Sequence, residues 1–528
     1  MQRSLESLTS QVFDLAIIGG GITGCCIARD AARRGMSVAL VERADFSSGT
    51  SAATSKMVHG GLRYLQNLEI GVVRESLLER RAWQVVAPHL VRPLTFLLPT
   101  HSRIEDLKYR FALAAYDALS WDRNRLPLAT QHLRPTRHLS ARELVDLEPV
   151  LAEAHLRGGM RYDDCHAFSP ERVALECLMD ASAHGACVLN HVEAVSLADG
   201  TPQRLAVRDC LTSDRVTIEA RHVINAAGPW SDVVAAGIGV GAPTRLLRSR
   251  GIHVVTRAIT RRDALTVPVL GRHFFVIPWR DHSLIGTTDS PYEGSPDDVG
   301  VSESDLDDFL RVINAGLPAA RLTRDDVLWS YAGLRPLIRQ KRGTSYQASR
   351  RADIVLERPG LLSVIGGKWT TSRAVAERCV DLIVHAQGAS VRPCDTDTTL
   401  LPGATLVTDL VPETGLDRRA TEETVRYQGA LATRVLELAR SSPDMGSLIA
   451  GRTFAAAVVI AVRDEMAGTL GDVIFRRTGL ATLGALPRAD LERTCALMSA
   501  PLGWSADRIS KEIADVEAHY RRVSMRPA

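Results

Sequence analysis

The sequence predicts an α/β fold built from more than one unit, and three observations carry that prediction. An apolar run, Phe13–Ile18, leads through a glycine-rich turn into a helical stretch and then a second short run, Ser37–Glu42. That order is the order of a β-α-β unit with parallel strands. Gly251–Val255 and Phe274–Ile277, rich in β-branched and aromatic residues, signal further strands in the middle of the chain. Beyond residue 395 apolar residues recur at helical spacing. At 528 residues the chain exceeds one ordinary domain, so two or three folded units are expected.

Composition narrows the class. Apolar residues make up 45% and charged residues 24%, which suits a globular chain with a sizeable core. A net charge of +3 and a pI near 8.4 are too mild to argue for nucleic acid. Only five lysines occur, so any lysine inside a motif carries extra weight. The nine cysteines show no CxxC pair or Cys/His cluster, which suggests neither a metal site nor a disulfide framework. The N-terminal residues MQRSLESLTSQVF lack the apolar core of a signal peptide. No run approaches the roughly 18 apolar residues of a membrane span. The longest candidate, Ala455–Val462, reads as a buried helix, and a cytoplasmic location is expected.

Phe13–Ile18 runs directly into Gly19-Gly20-Gly21-Ile22-Thr23-Gly24, which fits G-x-G-x-x-G. Gly19 allows the tight turn, Gly21 lets backbone approach a pyrophosphate, and Gly24 lets helix pack on strand. The helix, expected over Ile27–Arg34 with Gly35 as its C-cap, points free N–H groups at the phosphates. Glu42, eighteen residues after Gly24, is placed to accept hydrogen bonds from a ribose. The unit binds a dinucleotide, but NAD folds share it, so the identity of the nucleotide is open at this point.

The residues after Glu42 narrow it. The hydroxyl-rich run SGTSAATSK (48–56) and then His59-Gly60-Gly61-Leu62-Arg63-Tyr64 resemble the flavin-dependent, aerobic-type glycerol-3-phosphate dehydrogenases of the glycine/D-amino-acid oxidase superfamily. Further matches follow in order: Val223–Trp230, Phe274–Trp279, Ile285–Asp289, Tyr331–Leu337 and Gly366–Thr371. Six ordered motifs cover residues 12–385, and thinner matches at Ala461–Ala467 and Asp472–Thr478 resemble the family's helical C-terminal unit.

The resemblance implies a discontinuous, Rossmann-like FAD-binding domain from residues 12–90, 150–240 and 350–390. It also implies a substrate domain with a largely antiparallel β-sheet from 91–149 and 241–349, and an α-helical C-terminal domain over 395–528. FAD is the implied cofactor. Its contacts carry over to Gly19, Gly21, Ile22, Thr23, Gly24, Glu42, Arg43, Thr50, Ser51, Ser55, Lys56, His59, Gly60 and Gly61. They continue at Glu193, Ala194, Gly228, Trp230, Gly367, Lys368, Trp369 and Thr370.

The implied reaction is oxidation of sn-glycerol 3-phosphate at C2 to dihydroxyacetone phosphate, with hydride passing to flavin N5. Such chemistry needs a base for the hydroxyl proton and cations for the phosphate. The flavin carries the redox step while the protein positions and polarises. His253 is expected to be the base, Arg335 to polarise the hydroxyl, and Lys368 to stabilise the anionic edge of reduced flavin. Arg63, Tyr64 and Arg350 are expected at the substrate. Asp163 and Asp164 read as structural.

Three departures touch the substrate pocket: Phe168–Val173 lacks the family's acidic pair, Trp369 stands where leucine is frequent, and Arg350 lies in a diverged segment. Another polyol phosphate therefore stays open, as does an FAD-dependent amine or hydroxy-acid oxidase, since arginine also binds carboxylate. A flavoprotein that has lost catalysis and an NAD-linked enzyme are weaker readings. The family implies a quinone-type electron acceptor, although some relatives use oxygen. Arg103–Trp121, basic with an apolar and aromatic face, suits peripheral contact with the inner face of the cell membrane or packing on its own domain. A homodimer and no nucleic-acid partner are expected.

Overall fold

The first predicted strand forms over Val12–Ile18, and every residue from Phe13 onward except Asp14 is buried. A strand covered on both faces reads as a continuous apolar run rather than an alternation, which is why the signal was clear. In this computed structural model, which describes residues 1–241, 246–269, 271–338, 352–388, 390–404 and 415–523 and leaves aside the side chains of 63, 66 and 67, that strand lies within an eight-stranded sheet. Val38–Val41 and Arg215–Asn225 flank it in parallel. Leu361–Ile365 and Cys187–Leu189 extend the parallel set, and Asp353–Arg358 closes one edge antiparallel. The following helix spans Ile22–Arg33, starting directly behind Gly21 instead of at Ile27. Gly35, at φ +93°, lies two residues past the helix end in the left-handed region.

The second sheet has ten strands, antiparallel except where Ala264 and Leu265 run parallel to Phe96 and Leu97. Its longest pair joins Leu246–Arg257 to Val327–Ile338, and the register sets His253 opposite Tyr331 and Ser249 opposite Arg335. Leu306, Phe309, Leu310 and Ile313 of the helix Glu303–Gly316 share a core with Leu265, Val267, Phe274 and Val276 of this sheet. Gly158–Ala167, in the stretch expected with the dinucleotide unit, pairs along Val91–Thr100 in the second sheet. The fold is thus α/β, with a parallel dinucleotide sheet, a largely antiparallel second sheet and a helical C-terminal region.

The C-terminal helices include Ala455–Asp464, buried as its apolar run requires. Buried charges seat this region behind the loop that follows Glu42. Asp45 accepts from Nη1 and Nη2 of Arg477, both at 2.8 Å, and also pairs with Arg476. Arg172 donates to Glu465 at 2.6 Å, and His191 faces Asp472 at 2.9 Å. Buried ions of this kind hold only as pairs, because removing one partner leaves the other uncompensated.

Candidate active site

A cavity of about 1550 Å³ is lined by residues of both sheets and of the C-terminal helices. Its volume exceeds the roughly 300–1,000 Å³ of ordinary ligand clefts, as an extended dinucleotide requires. One part is built on the glycine turn. Gly19 has φ +110°, and a Cβ there would lie 2.8 Å from the Ala226 carbonyl oxygen. A Cβ on Gly24 would lie 1.9 Å from the Gly19 carbonyl, so these two glycines set the turn and seat the helix. The Ile22 N–H donates to Ser51 Oγ at 2.9 Å. Glu42 accepts from the N–H groups of Gly20 at 2.7 Å and Ala44 at 2.9 Å. Burial pushes its carboxyl up against the pull of those two donors. Gly21, Thr23, Arg43, Glu193, Ala194, Gly228 and Trp230 line the same cavity.

The hydroxyl-rich run is laid along the strand that carries Arg335. Thr50 Oγ1 donates to the Leu334 carbonyl at 2.6 Å, and the Tyr331 hydroxyl donates to the Thr54 carbonyl at 2.6 Å. Ser55 Oγ shares a 2.8 Å hydrogen bond with His253 Nε2. His253 also stacks on Tyr331, with ring centroids 4.8 Å apart. Burial, with Arg335 and Lys56 nearby, pushes its imidazole down to about 3, so the ring is neutral at physiological pH. Arg335 donates to Thr287 Oγ1 at 2.8 Å and the Thr288 carbonyl at 3.0 Å, and lies 3.6 Å from Asp289. Tyr331, Thr287 and Asp289 were not singled out from sequence, although each lies inside a quoted motif. Ser249, 3.3 Å from Arg335, had no sequence signal.

A third group comprises His59, Gly61, Tyr64, Gly367, Lys368, Trp369 and Thr370, all lining the cavity. Lys368 Nζ donates to Ser76 Oγ at 2.6 Å and sits 4.3 Å from the centre of the Tyr64 ring. Gly60 lies just behind: a Cβ there would meet the Tyr116 hydroxyl at 2.3 Å. The Gly60 N–H donates to that hydroxyl at 2.9 Å, and Tyr116 donates onward to Asp164 at 2.8 Å. Lys56, expected at the cofactor, places its ammonium 3.4 Å from Glu171 and 4.8 Å from the centre of the Trp279 ring. Arg350 and the side chain of Arg63 lie outside the described residues.

Five buried polar atoms on cavity-lining residues, Ser47 Oγ, His253 Nδ1, Trp329 Nε1, Trp369 Nε1 and Arg508 Nε, have no hydrogen-bond partner among the described residues. Unpaired buried polar atoms around a glycine-floored cleft fit a large ligand rich in acceptors, as FAD is.

Fold and cleft together define a flavin-type dinucleotide oxidoreductase. Residues 14–382 match the family described as FAD dependent oxidoreductase, and residues 394–509 match the C-terminal domain of alpha-glycerophosphate oxidase. The chain is 34% identical to a glycerol-3-phosphate dehydrogenase of Synechocystis sp., over 97% of both chains. It is 30% identical to an aerobic glycerol-3-phosphate dehydrogenase of Staphylococcus aureus, over 90% of this chain and 88% of that one. The solved glycerol-3-phosphate dehydrogenase of Bacillus halodurans, complexed with FAD, superposes with a TM-score of 0.79 at 28% identity, covering 98% of this chain and 96% of that one. The chain belongs to the family of FAD-dependent glycerol-3-phosphate dehydrogenases.

Proposed function

We propose that the protein oxidises sn-glycerol 3-phosphate at C2 to dihydroxyacetone phosphate and passes the electrons to a quinone-type acceptor. The observation that carries this reading is the strand pair that sets His253 and Arg335 into the same cavity as the glycine turn. FAD, when bound, supplies the two-electron acceptor for the hydride from C2. Arg335 polarises the C2 oxygen with its planar fork, already oriented by Thr287 and Thr288. His253 takes the hydroxyl proton, and stacking on Tyr331 holds the ring in place. Burial and its cationic neighbours lower its basicity, and a phosphate dianion alongside raises it. Tyr64, Arg63 and Arg350 bind the substrate, and Lys368 holds the flavin edge. In this reading the FAD-binding domain takes residues 12–90, 150–240 and 350–390, with the strand Gly158–Ala167 lent to the second sheet, the substrate domain takes 91–149 and 241–349, and the helical C-terminal domain takes 395–528. Anaerobic bleaching of the yellow protein tests the reading. Bleaching by glycerol 3-phosphate is expected; bleaching only by another polyol phosphate, an amine or a hydroxy acid would replace it.

His253 makes a pH prediction. Its folded pKa lies below the ordinary imidazole value, so between about pH 6.5 and 3 the unfolded chain binds a proton that the folded chain refuses. Stability is therefore expected to fall as pH drops through that window, by up to about 1.4 kcal/mol per pH unit from this group. In His253→Gln the slope of thermal stability against pH should flatten there. An unchanged slope would show that the ring is not held neutral.

We also propose peripheral membrane contact through the helix Arg103–Leu119. Leu113 and Tyr116 face inward, whereas Ile104, Leu107 and Phe111 are exposed, Ile104 at 82%. Among the described residues no helix is long and apolar enough to cross a membrane. The wild-type protein should float with anionic liposomes, and a Leu107→Glu/Phe111→Glu double variant should float several-fold less. Flotation by neither chain would sink the idea.

A further inference from the structure

A segment between the strand Ser290–Tyr292 and the helix Glu303–Gly316 contributes Pro296, Asp297 and Val299 to the lining of the cavity. It is shaped by its own contacts. The Tyr292 hydroxyl donates to the Ser295 carbonyl at 2.8 Å, and Ser295 Oγ accepts from the Asp297 N–H at 3.3 Å, starting a short 3-10 turn. The C-terminal helix steadies the same segment: Arg522 Nη1 donates to the Asp297 carbonyl at 3.3 Å, and the Val301 N–H donates to the Arg522 carbonyl at 3.2 Å.

The Asp297 carboxylate gathers two parts of the nucleotide cleft. Arg43, the residue after Glu42, pairs with it through both terminal nitrogens, Nη1 lying 3.3 Å from Oδ2. Trp230 Nε1 donates to Oδ1 at 2.8 Å. Trp230 closes the Gly228–Trp230 turn, and a Cβ on Gly49 would touch its ring at 3.0 Å, so the indole lies against the hydroxyl-rich run. Arg248 pins that turn by donating to the Pro229 carbonyl at 2.8 Å. Burial raises the Asp297 carboxyl, but Arg43 and the indole N–H outweigh it and hold the group below the usual carboxylate range. It is ionised at neutral pH and acts as a charged acceptor for both donors.

We propose that Asp297 is a clasp for the cofactor: its carboxylate ties Arg43, just past the strand Val38–Val41, to the Trp230 turn in the lining of the cleft, so dinucleotide release requires these contacts to open. The inference rests on the FAD reading of the cleft given above. It makes Asp297 a positioning residue for retention of FAD, with no part in the hydride step. Both ionic partners are nearly half exposed, 45% for Arg43 and 47% for Asp297, so salt screens the clasp and its effect is moderate.

The test is the rate at which bound FAD leaves the holoenzyme on dilution, followed by recovery of free flavin fluorescence at low and high salt. Asp297→Ala is expected to release FAD about fivefold faster than wild type at low salt, with the difference shrinking at high salt. Asp297→Asn, which keeps an acceptor for the indole but loses the charge, should fall between them. Trp230→Phe, which removes the indole N–H, should add little to Asp297→Ala, because the contact between them is already broken. Unfolding temperatures of the apoproteins separate a clasp from general destabilisation: the release rate should move while they stay together. Release from Asp297→Ala at the wild-type rate would overturn the clasp while leaving the proposed function standing. A wild-type chain that binds no FAD would overturn both.

Discussion

Gly24→Ala is expected to yield a colourless protein. The added methyl group would lie 1.9 Å from the Gly19 carbonyl oxygen and 3.1 Å from its carbonyl carbon, and both belong to backbone that cannot rotate away. The helix Ile22–Arg33 must then lift off the strand Val12–Ile18, carrying its free N–H groups away from the pyrophosphate. Overpacking of a tight contact costs about 1–3 kcal/mol in stability, and here the displaced element is also the cofactor floor. Gly35→Ala is the matched control. Unlike Gly24 it sits at positive φ, but nothing lies within 4 Å of its Cβ, so it strains the chain locally and should keep its flavin. The measurement is FAD content per chain after purification. A Gly24→Ala protein as yellow as wild type would refute the assignment of the turn.

Arg335→Gln is expected to lower kcat about 100-fold or more, the cost of removing one donor aimed at a developing oxyanion. The backbone ladder between Leu246–Arg257 and Val327–Ile338 does not depend on this side chain, so the strand pair and bound flavin should survive. Flavin content and its visible spectrum should therefore match wild type while substrate bleaching slows. Arg335→Lys should rescue little, because a point charge does not reproduce the planar fork. Bleaching of Arg335→Gln within threefold of the wild-type rate would remove Arg335 from the proposed chemistry.

The cofactor half of the cleft was legible because its physics is local. Strand, glycine turn, helix and Glu42 follow one another directly along the chain, and the Gly24–Gly19 contact and the Glu42–Gly20 hydrogen bond close within that stretch. The hydroxyl-rich run was readable as a motif but not as a mechanism. Its partners, Leu334, Tyr331 and His253, lie hundreds of residues away, at pairings that strand register alone decides. Lys56 shows the same limit. Its presence in a motif signalled importance, whereas the burial beside Glu171 and Trp279 that lowers its pKa comes only from packing.

What the sequence by itself determined was the α/β class, the dinucleotide turn and the family, because periodicity, glycine spacing and ordered motifs are properties of the chain read in line. What only the tertiary structure decided was which side chains face one another: His253 across from Tyr331, Arg335 held by Thr287 and Thr288, and Asp297 between Arg43 and Trp230. The physical reason is range. Hydrogen bonds and ion pairs act over a few ångströms, and residues distant in sequence come within that reach only once sheet register and helix packing have set their positions.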